Sequence, residues 1–395
     1  MQYRTNPKNG DRISQLGLGC MRFPKTAGRV DQRKANALVS AAIDRGINYF
    51  DTAYVYSGNE AALGTALTAL GKRDGVFIGT KLPHYLCKKP EDFDRIFSKQ
   101  LENLQTGWID YYHIHMLGNA EAWERLKALG FEKWAGRKRE EGKIKNLGFS
   151  FHGGRDDFLG LLGAFDWDFC LLQFNYYDEN NQAGVTGVKA AHEKGMPVFV
   201  MGPVRGGMLS DDLPEEARQA FGRVNKERSP ADWALRWVLD HPEVTMALSG
   251  MSSLAQVEEN SATAGEVLPG MLGEAELAVY TEAAAILNKG KMIPCTKCGY
   301  CLPCPNGVNI PGCFACYNIS HTFGLISGIS QYMQVTGQTT PVRSDAAICT
   351  ACGICQPRCP QGIPIASELA KVRRRMLTVV SKPIFRVARK FLGIK

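Results

Sequence analysis

The sequence predicts an α/β protein built on a closed (β/α)8 barrel of the TIM-barrel kind, followed by a small, largely helical cysteine-rich module and a basic C-terminal helix. Three observations lead there. Before about residue 265, short β-branched or aromatic runs alternate eight times with longer amphipathic stretches. Ten of the 13 cysteines fall between Cys295 and Cys359. Nine Lys or Arg and no acid lie between Lys371 and Lys395. The expected domains are therefore 1–288 for the barrel, 289–370 for the cysteine module and 371–395 for the basic tail.

The expected strands are residues 13–19, 47–53, 76–81, 110–116, 144–150, 169–175, 197–202 and 244–250. A short N-terminal hairpin precedes them and a last helix follows. About 290 residues suit such a barrel, which typically needs about 250. A doubly wound sheet competes, but the first strand-to-helix turn, GLGCMRFPKTAG, lacks a spaced G-x-G-x-x-G with a helix behind it.

Composition narrows the function. The 395 residues are 45% hydrophobic and 22% charged, which excludes a disordered chain. The net charge of +8 belongs to the tail, because residues 1–370 carry 38 bases against 39 acids. No nucleic-acid partner is expected. There is no run of 18 apolar residues, hence no expected membrane span. The opening MQYRTNPKNG has no apolar segment of the secretory kind. Clustered cysteines then point to metal ligands in a reducing compartment, and the expected location is cytoplasmic.

In a barrel of this kind, chemistry collects at the C-terminal ends of the strands. Asp51, Lys81, His115 and Ser150 end four successive predicted strands, from the second to the fifth. Taken singly, Asp51 reads as a cap, Lys81 as a solvated charge and His115 as a hydrogen-bonded strand histidine; the set is harder to dismiss. His113, two residues deeper than His115, is expected in the core. Cys20, Cys87 and Cys170 read as buried small hydrophobes. His84 and His152 fit either a pocket wall or plain loops.

Phe50-Asp51-Thr52-Ala53-Tyr54-Val55-Tyr56, with Gly58, Glu60 and Leu63-Gly64 behind it, resembles the signature of the aldo-keto reductases. Thr80-Lys81 and Asp110-Tyr111-Tyr112-His113-Ile114-His115 resemble the next two blocks of that family. The resemblance covers roughly residues 1–265 and implies a catalytic tetrad of Asp51, Tyr56, Lys81 and His115, with Tyr54 as a wall residue. The chemistry has its own logic. Reducing a carbonyl by hydride needs a proton donor at oxygen, and a phenol of pKa about 10 requires a neighbouring cation to act near neutrality. Lys81 is that cation, Asp51 holds it, and His115 orients the carbonyl or shares the proton with Tyr56.

The resemblance also implies a nicotinamide, NAD(P)H, with Ser150 and Gln173 at its carboxamide and Gly250, Ser252, Glu259 and Asn260 near its adenosine. Phe151 and Met201 stand where the family usually has Asn and a stacking Tyr. Gly250 and Gln256 replace the usual Lys and Arg of a 2′-phosphate site, which shifts the expectation from NADP toward NAD or no nicotinamide. The implied substrate is a small carbonyl or alcohol.

Cys349-x2-Cys352-x2-Cys355-x3-Cys359-Pro360 has the bacterial ferredoxin spacing for a [4Fe–4S] cluster. A partner run, Cys295-x2-Cys298-x2-Cys301-x2-Cys304-Pro305, precedes it. In two-cluster ferredoxins the fourth Cys of a run ligates the other cluster. That rule gives one cluster to Cys295, Cys298, Cys301 and Cys359, and the other to Cys304, Cys349, Cys352 and Cys355. Zinc is the alternative. The first run is one residue short before Cys304, and Cys313 or Cys316 could replace it, bind something else or simply pack. The stretch 319–335 reads as helical.

In the tail, Ile384, Phe385, Val387, Ala388, Phe391 and Leu392 fall at helical spacing opposite Arg386, Arg389 and Lys390. This pattern fits peripheral contact with an anionic membrane, docking on an acidic redox partner, or an ordinary docked helix. Pro383 is expected to interrupt a helix running in from Ala366. The expected function is thus an iron–sulfur oxidoreductase of the aldo-keto reductase type, with two [4Fe–4S] clusters joining it to a redox partner protein. Clusters move single electrons whereas hydride moves two, and no flavin motif bridges them. The alternative is an electron-transfer protein whose barrel is a docking or ligand-binding scaffold.

Overall fold

The eight apolar runs form eight strands: β1 (Leu16–Gly19), β2 (Tyr49–Asp51), β3 (Phe77–Leu82), β4 (Ile109–Ile114), β5 (Ile144–Phe151), β6 (Phe169–Gln173), β7 (Val198–Met201) and β8 (Val244–Ser249). The computed structural model describes residues 1–289, 292–295, 299, 301–336, 343–359, 362–378, 381, 383, 385 and 387. Each strand pairs in parallel with its sequence neighbours, and β8 returns to β1 through Ala247 opposite Leu16, which closes the barrel. Between them run α1 (Gln32–Asp44), α2 (Asn59–Leu70), α3 (Glu91–Leu104), α4 (Ala120–Ala128), α5 (Phe131–Glu140), α6 (Arg155–Leu162) and α7 (Gly184–Glu193). After α8 (Glu215–Val224) come α9 (Pro230–Asp240) and α10 (Leu254–Glu266).

Helix starts follow local chemistry. Asp31 accepts from the Lys34 N–H at the head of α1, and Ser229 accepts from Asp232 N–H at α9, where Pro230 occupies the first turn.

The barrel interior is aromatic. Tyr49, Tyr111, Phe169 and Phe199 are fully buried, with neighbouring centroids 5.1–5.4 Å apart in tilted or edge-on contact. Each such side chain contributes on the order of 1.5–3 kcal/mol by leaving water. Gly79 on β3 makes this packing possible, since a Cβ there would stand 2.4 Å from the Tyr49 hydroxyl. At the N-terminal end, the expected hairpin (Tyr3–Thr5 with Arg12–Ser14) brings Asp11 to Tyr111, whose hydroxyl donates to its carboxylate at 2.6 Å. The hairpin thus lies over the N-terminal end of the barrel, and the residues expected to act lie at the opposite end, where the strands finish.

The chain divides into two compact units, Met1–Asp211 with Asn225–Leu277, and Asp212–Val224 with Ala278–Lys395. The barrel belongs to the first. The division falls inside α11 (Glu274–Lys289), ahead of the boundary expected at 288, and α8 joins the second unit. There α8 meets α11 through Phe221 and Tyr280, whose rings lie 5.5 Å apart.

The rest of the second unit is α12 (Ile310–Thr322), α13 (Leu325–Val335) and α14 (Ile365–Met376). The stretch 319–335 is two helices, because Gly324 takes φ +88° between them. Phe314, Tyr332, Leu369 and Val372 form their core together with Cys313 and Cys316, so these two thiols pack. Phe385 joins this core, its ring over Tyr332 at 6.4 Å.

The helix expected to run to Pro383 ends at Met376. Ser381 Oγ donates to the Met376 carbonyl at 2.5 Å and accepts from Thr378 N–H at 2.8 Å, so side-chain bonds replace the next helical turn. Of the remaining tail pattern, Ile384, Arg386, Ala388, Arg389, Lys390, Phe391 and Leu392 lie outside the described residues. No helix among the described residues is long and apolar enough to cross a membrane.

Candidate active site

Asp51 closes β2 and Lys81 lies near the end of β3, so the barrel puts them side by side. Lys81 is 2% exposed and Asp51 6%. The Lys81 ammonium donates to Asp51 Oδ1 and, at 2.6 Å, to the Thr52 carbonyl. Burial alone would discharge Lys81, but the Asp51 carboxylate outweighs it and holds the ammonium above its ordinary value. Burial pushes the Asp51 carboxyl upward while Lys81 pulls it back.

Below the pair, His113 is fully buried as expected, with Nε2 3.6 Å from Asp51 Oδ2. Burial drives its pKa well below the usual histidine value. A neutral imidazole thus forms the floor of the ion pair.

Tyr56 sits in the turn that leads to α2, which opens after Gly58. Its ring faces the Lys81 ammonium at 5.3 Å and the His115 ring edge-on at 6.2 Å. Burial raises the phenol pKa more than Lys81 lowers it, so Tyr56 is a protonated donor at neutral pH. His115 lies just past β4 and is 7% exposed. Burial, then Lys81, then the imidazoles of His152 and His84 bring its pKa down to about 3. Its Nδ1 is buried without a hydrogen-bond partner among the described residues.

A buried network missed by sequence reasoning holds Lys81 from behind. Gln100 on α3 donates to the Lys81 carbonyl at 3.0 Å and to Glu60 Oε1 at 3.0 Å. Thr80 donates to the same carboxylate oxygen at 2.6 Å, and Tyr112 donates to Gln100 Oε1 at 2.8 Å. Glu60 was visible as a motif residue; Gln100 carried no signal beyond a polar residue on the buried face of a helix.

The other expected residues divide. Ser150 Oγ accepts the Met116 N–H at 2.8 Å, and Met116 takes φ +57° to make that bond. Gln173 donates to Asp178 at 2.7 Å and accepts from Gln182 at 3.4 Å, so its amide is clamped. Phe151 turns away into the helix layer, 5.0 Å from Phe158. Ser252 is exposed beside the head of α10, bonded to Gln256 at 3.2 Å, and Glu259 is exposed on that helix. Asn260 is instead buried and ties α10 to Ser249 at 3.1 Å. Gly250 follows β8 beneath Arg22. His84 is held by Arg125 at 2.9 Å, and His152 by Gln182 at 3.2 Å.

In the second unit, Cys295, Cys301, Cys304, Cys349, Cys355 and Cys359 pack half-buried against the core, while Cys352 is exposed and Cys298 lies outside the described residues. Burial raises the Cys355 thiol, and the nearby Cys349, Cys304 and Cys352 raise it further. Among the described residues no group of three or more His, Cys, Asp or Glu side chains converges as a metal site.

The profile of the Aldo/keto reductase family matches residues 15–270. An L-galactose dehydrogenase of Arabidopsis thaliana is 27% identical over 296 residues, 68% of this chain and 89% of the relative. The aldo-keto reductase AKR11C1 of Bacillus halodurans in its holo form is 26% identical with a TM-score of 0.59, covering 72% of this chain and 96% of that one. An aldo/keto reductase of Klebsiella pneumoniae in complex with NADP and acetate shares the fold at 23% identity and a TM-score of 0.56, covering 71% of this chain and 95% of its own.

Proposed function

The chain belongs to the aldo/keto reductase family, and from that membership we propose that it interconverts a small carbonyl compound and its alcohol with Tyr56 as the acid and base. The observation that carries this reading is a protonated Tyr56 set between a charged Lys81 and a neutral His115. In the reductive direction Tyr56 gives its proton to the substrate oxygen as that oxygen gains negative charge. Lys81 stabilises the phenolate left behind, and Asp51 keeps Lys81 charged and in place. His115, neutral, donates a hydrogen bond that fixes the carbonyl.

A nicotinamide fits the residues present: the buried Nδ1 of His115 has no partner among the described residues, and Ser150 retains its own O–H to donate. Such a group supplies or accepts the hydride. Ser150 and the clamped Gln173 would hold its carboxamide, and the Klebsiella relative's NADP makes NADP(H) as eligible as NAD(H).

For residues 289–370 the proposal is two [4Fe–4S] clusters serving a redox partner protein. The ferredoxin spacing supports this, and Cys304 of the first run lies near enough to Cys355 of the second to raise its thiol. Backbone and side-chain N–H groups already point at sulfur, from Ala351 to Cys349 at 3.4 Å and from Asn306 to Cys352 at 4.0 Å.

Two variants test the reading. Tyr56→Phe should lower turnover by about 10²–10⁴-fold with nucleotide binding unchanged; full turnover would sink the acid–base role. Cys304→Ala should remove roughly half of the bound iron of anaerobically purified protein. Unchanged iron would break the crossed ligand set.

A further inference from the structure

At the open end of the barrel, the loops after β1, β7 and β8 meet at one corner, and a guanidinium occupies it. Arg22 follows β1 and is exposed. Its Nη2 lies 3.4 Å from the Gly206 carbonyl. A Cβ on Gly206 would stand 2.9 Å from that nitrogen, and one on Gly250 would stand 2.7 Å from Arg22 Cγ. Two glycines, one from each of the last two loops, thus leave the space in which Arg22 lies.

The second guanidinium here is committed. Arg205 donates to Asp178 at 2.8 Å and lies over the Tyr177 ring at 4.9 Å. No ion pair holds Arg22 among the described residues, so its charge faces solvent above the loops after β7 and β8. Barrels of this architecture frequently bind phosphate at those loops, and a guanidinium suits phosphate because its fork of N–H donors matches two oxygens at once.

We propose that Arg22 is a phosphate-binding residue, which receives an anionic phosphate of the nicotinamide nucleotide at the corner bounded by Gly206 and Gly250. The inference rests on the nucleotide reading above for the identity of the ligand, and on Arg22 and the two glycines for its place. Gly250 brings no charge to this corner, and Arg22 supplies one from the loop after β1.

The test titrates the full-length protein with NADPH and with NADH by nucleotide fluorescence, and with inorganic pyrophosphate by calorimetry. Arg22→Gln should weaken NADPH binding by roughly 10- to 100-fold, the worth of a charge-assisted bond, and Arg22→Lys should restore part of it. A loss confined to NADPH places the 2′-phosphate at Arg22; an equal loss for NADH places the pyrophosphate there. Gly250→Val, which fills the space under Arg22, should reproduce the loss. Nucleotide binding within twofold of the parent in Arg22→Gln overturns the proposal. If the parent binds no nucleotide, the nicotinamide reading fails. Pyrophosphate binding lost in Arg22→Gln would then still support the site, and absence of pyrophosphate binding would end it.

Discussion

Tyr56 meets His115 edge-on with their ring centroids 6.2 Å apart, and the two groups are shifted in opposite senses, the phenol upward and the imidazole down to about 3. Neither changes charge between pH 5 and 8. Carbonyl reduction should therefore show no inflection near the ordinary histidine pKa of about 6.5, and kcat/KM should fall only in the alkaline range where Tyr56 ionises. A pH profile by nucleotide absorbance checks this. A limb near 6.5 that Tyr56→Phe or His115→Gln removes would contradict it.

Stability has a different pH dependence. His115 titrates at about 3 in the folded chain and near 6.5 when unfolded. Below 6.5 the unfolded state binds more protons, so the stability owed to this group is complete above 6.5 and is lost as pH falls toward 3. His113 is shifted in the same direction. Urea midpoints at pH 7 and pH 5 should separate more for the parent than for His115→Gln. Equal separation would refute the shift.

The Lys81–Asp51 pair is 3% and 8% exposed at its side chains. Lys81→Met leaves a buried carboxylate without its cation and should cost about 3–5 kcal/mol. Adding Asp51→Leu removes that charge and should recover most of the loss without recovering turnover. Chemical denaturation of the single and double variants measures the coupling; additive losses would mean that the pair is not a unit.

Gly79→Ala places a methyl group 2.4 Å from the Tyr49 hydroxyl and should destabilise by about 1–3 kcal/mol. Tyr49→Phe removes the obstructing oxygen and should restore part of that. Thermal unfolding of the two singles and the double decides it.

The barrel was legible because each strand is an apolar run framed by turn residues, and eight repeats leave few architectures. Strand ends were less so: the fourth strand was expected to include His115, but pairing stops at Ile114 and His115 is set in the loop. The meeting of Asp51 and Lys81 was legible, because both stand near the ends of adjacent strands. Asn260 was singled out only by the resemblance of its segment, and the bond its amide makes to Ser249 had no signal in the sequence. Arg22, Gln100 and Asp178 escaped because a loop cation, a helix amide and a loop acid have no periodicity; only the folded chain shows what each one meets. Helix α14 ended early because Ser381 and Thr378 form local bonds, which composition does not reveal.

Gly250 and Arg22 share one volume, since any side chain at 250 would meet the Arg22 stem. A side chain at 250 and the present course of Arg22 therefore compete for the same space. Descent with modification should favour an exchange, in which a chain that gains a long side chain at 250 gives up Arg22 and one that keeps Arg22 keeps glycine. Across related sequences the two positions should change together, with the doubly basic combination rare and the doubly neutral one marking lineages that have let go of the anion.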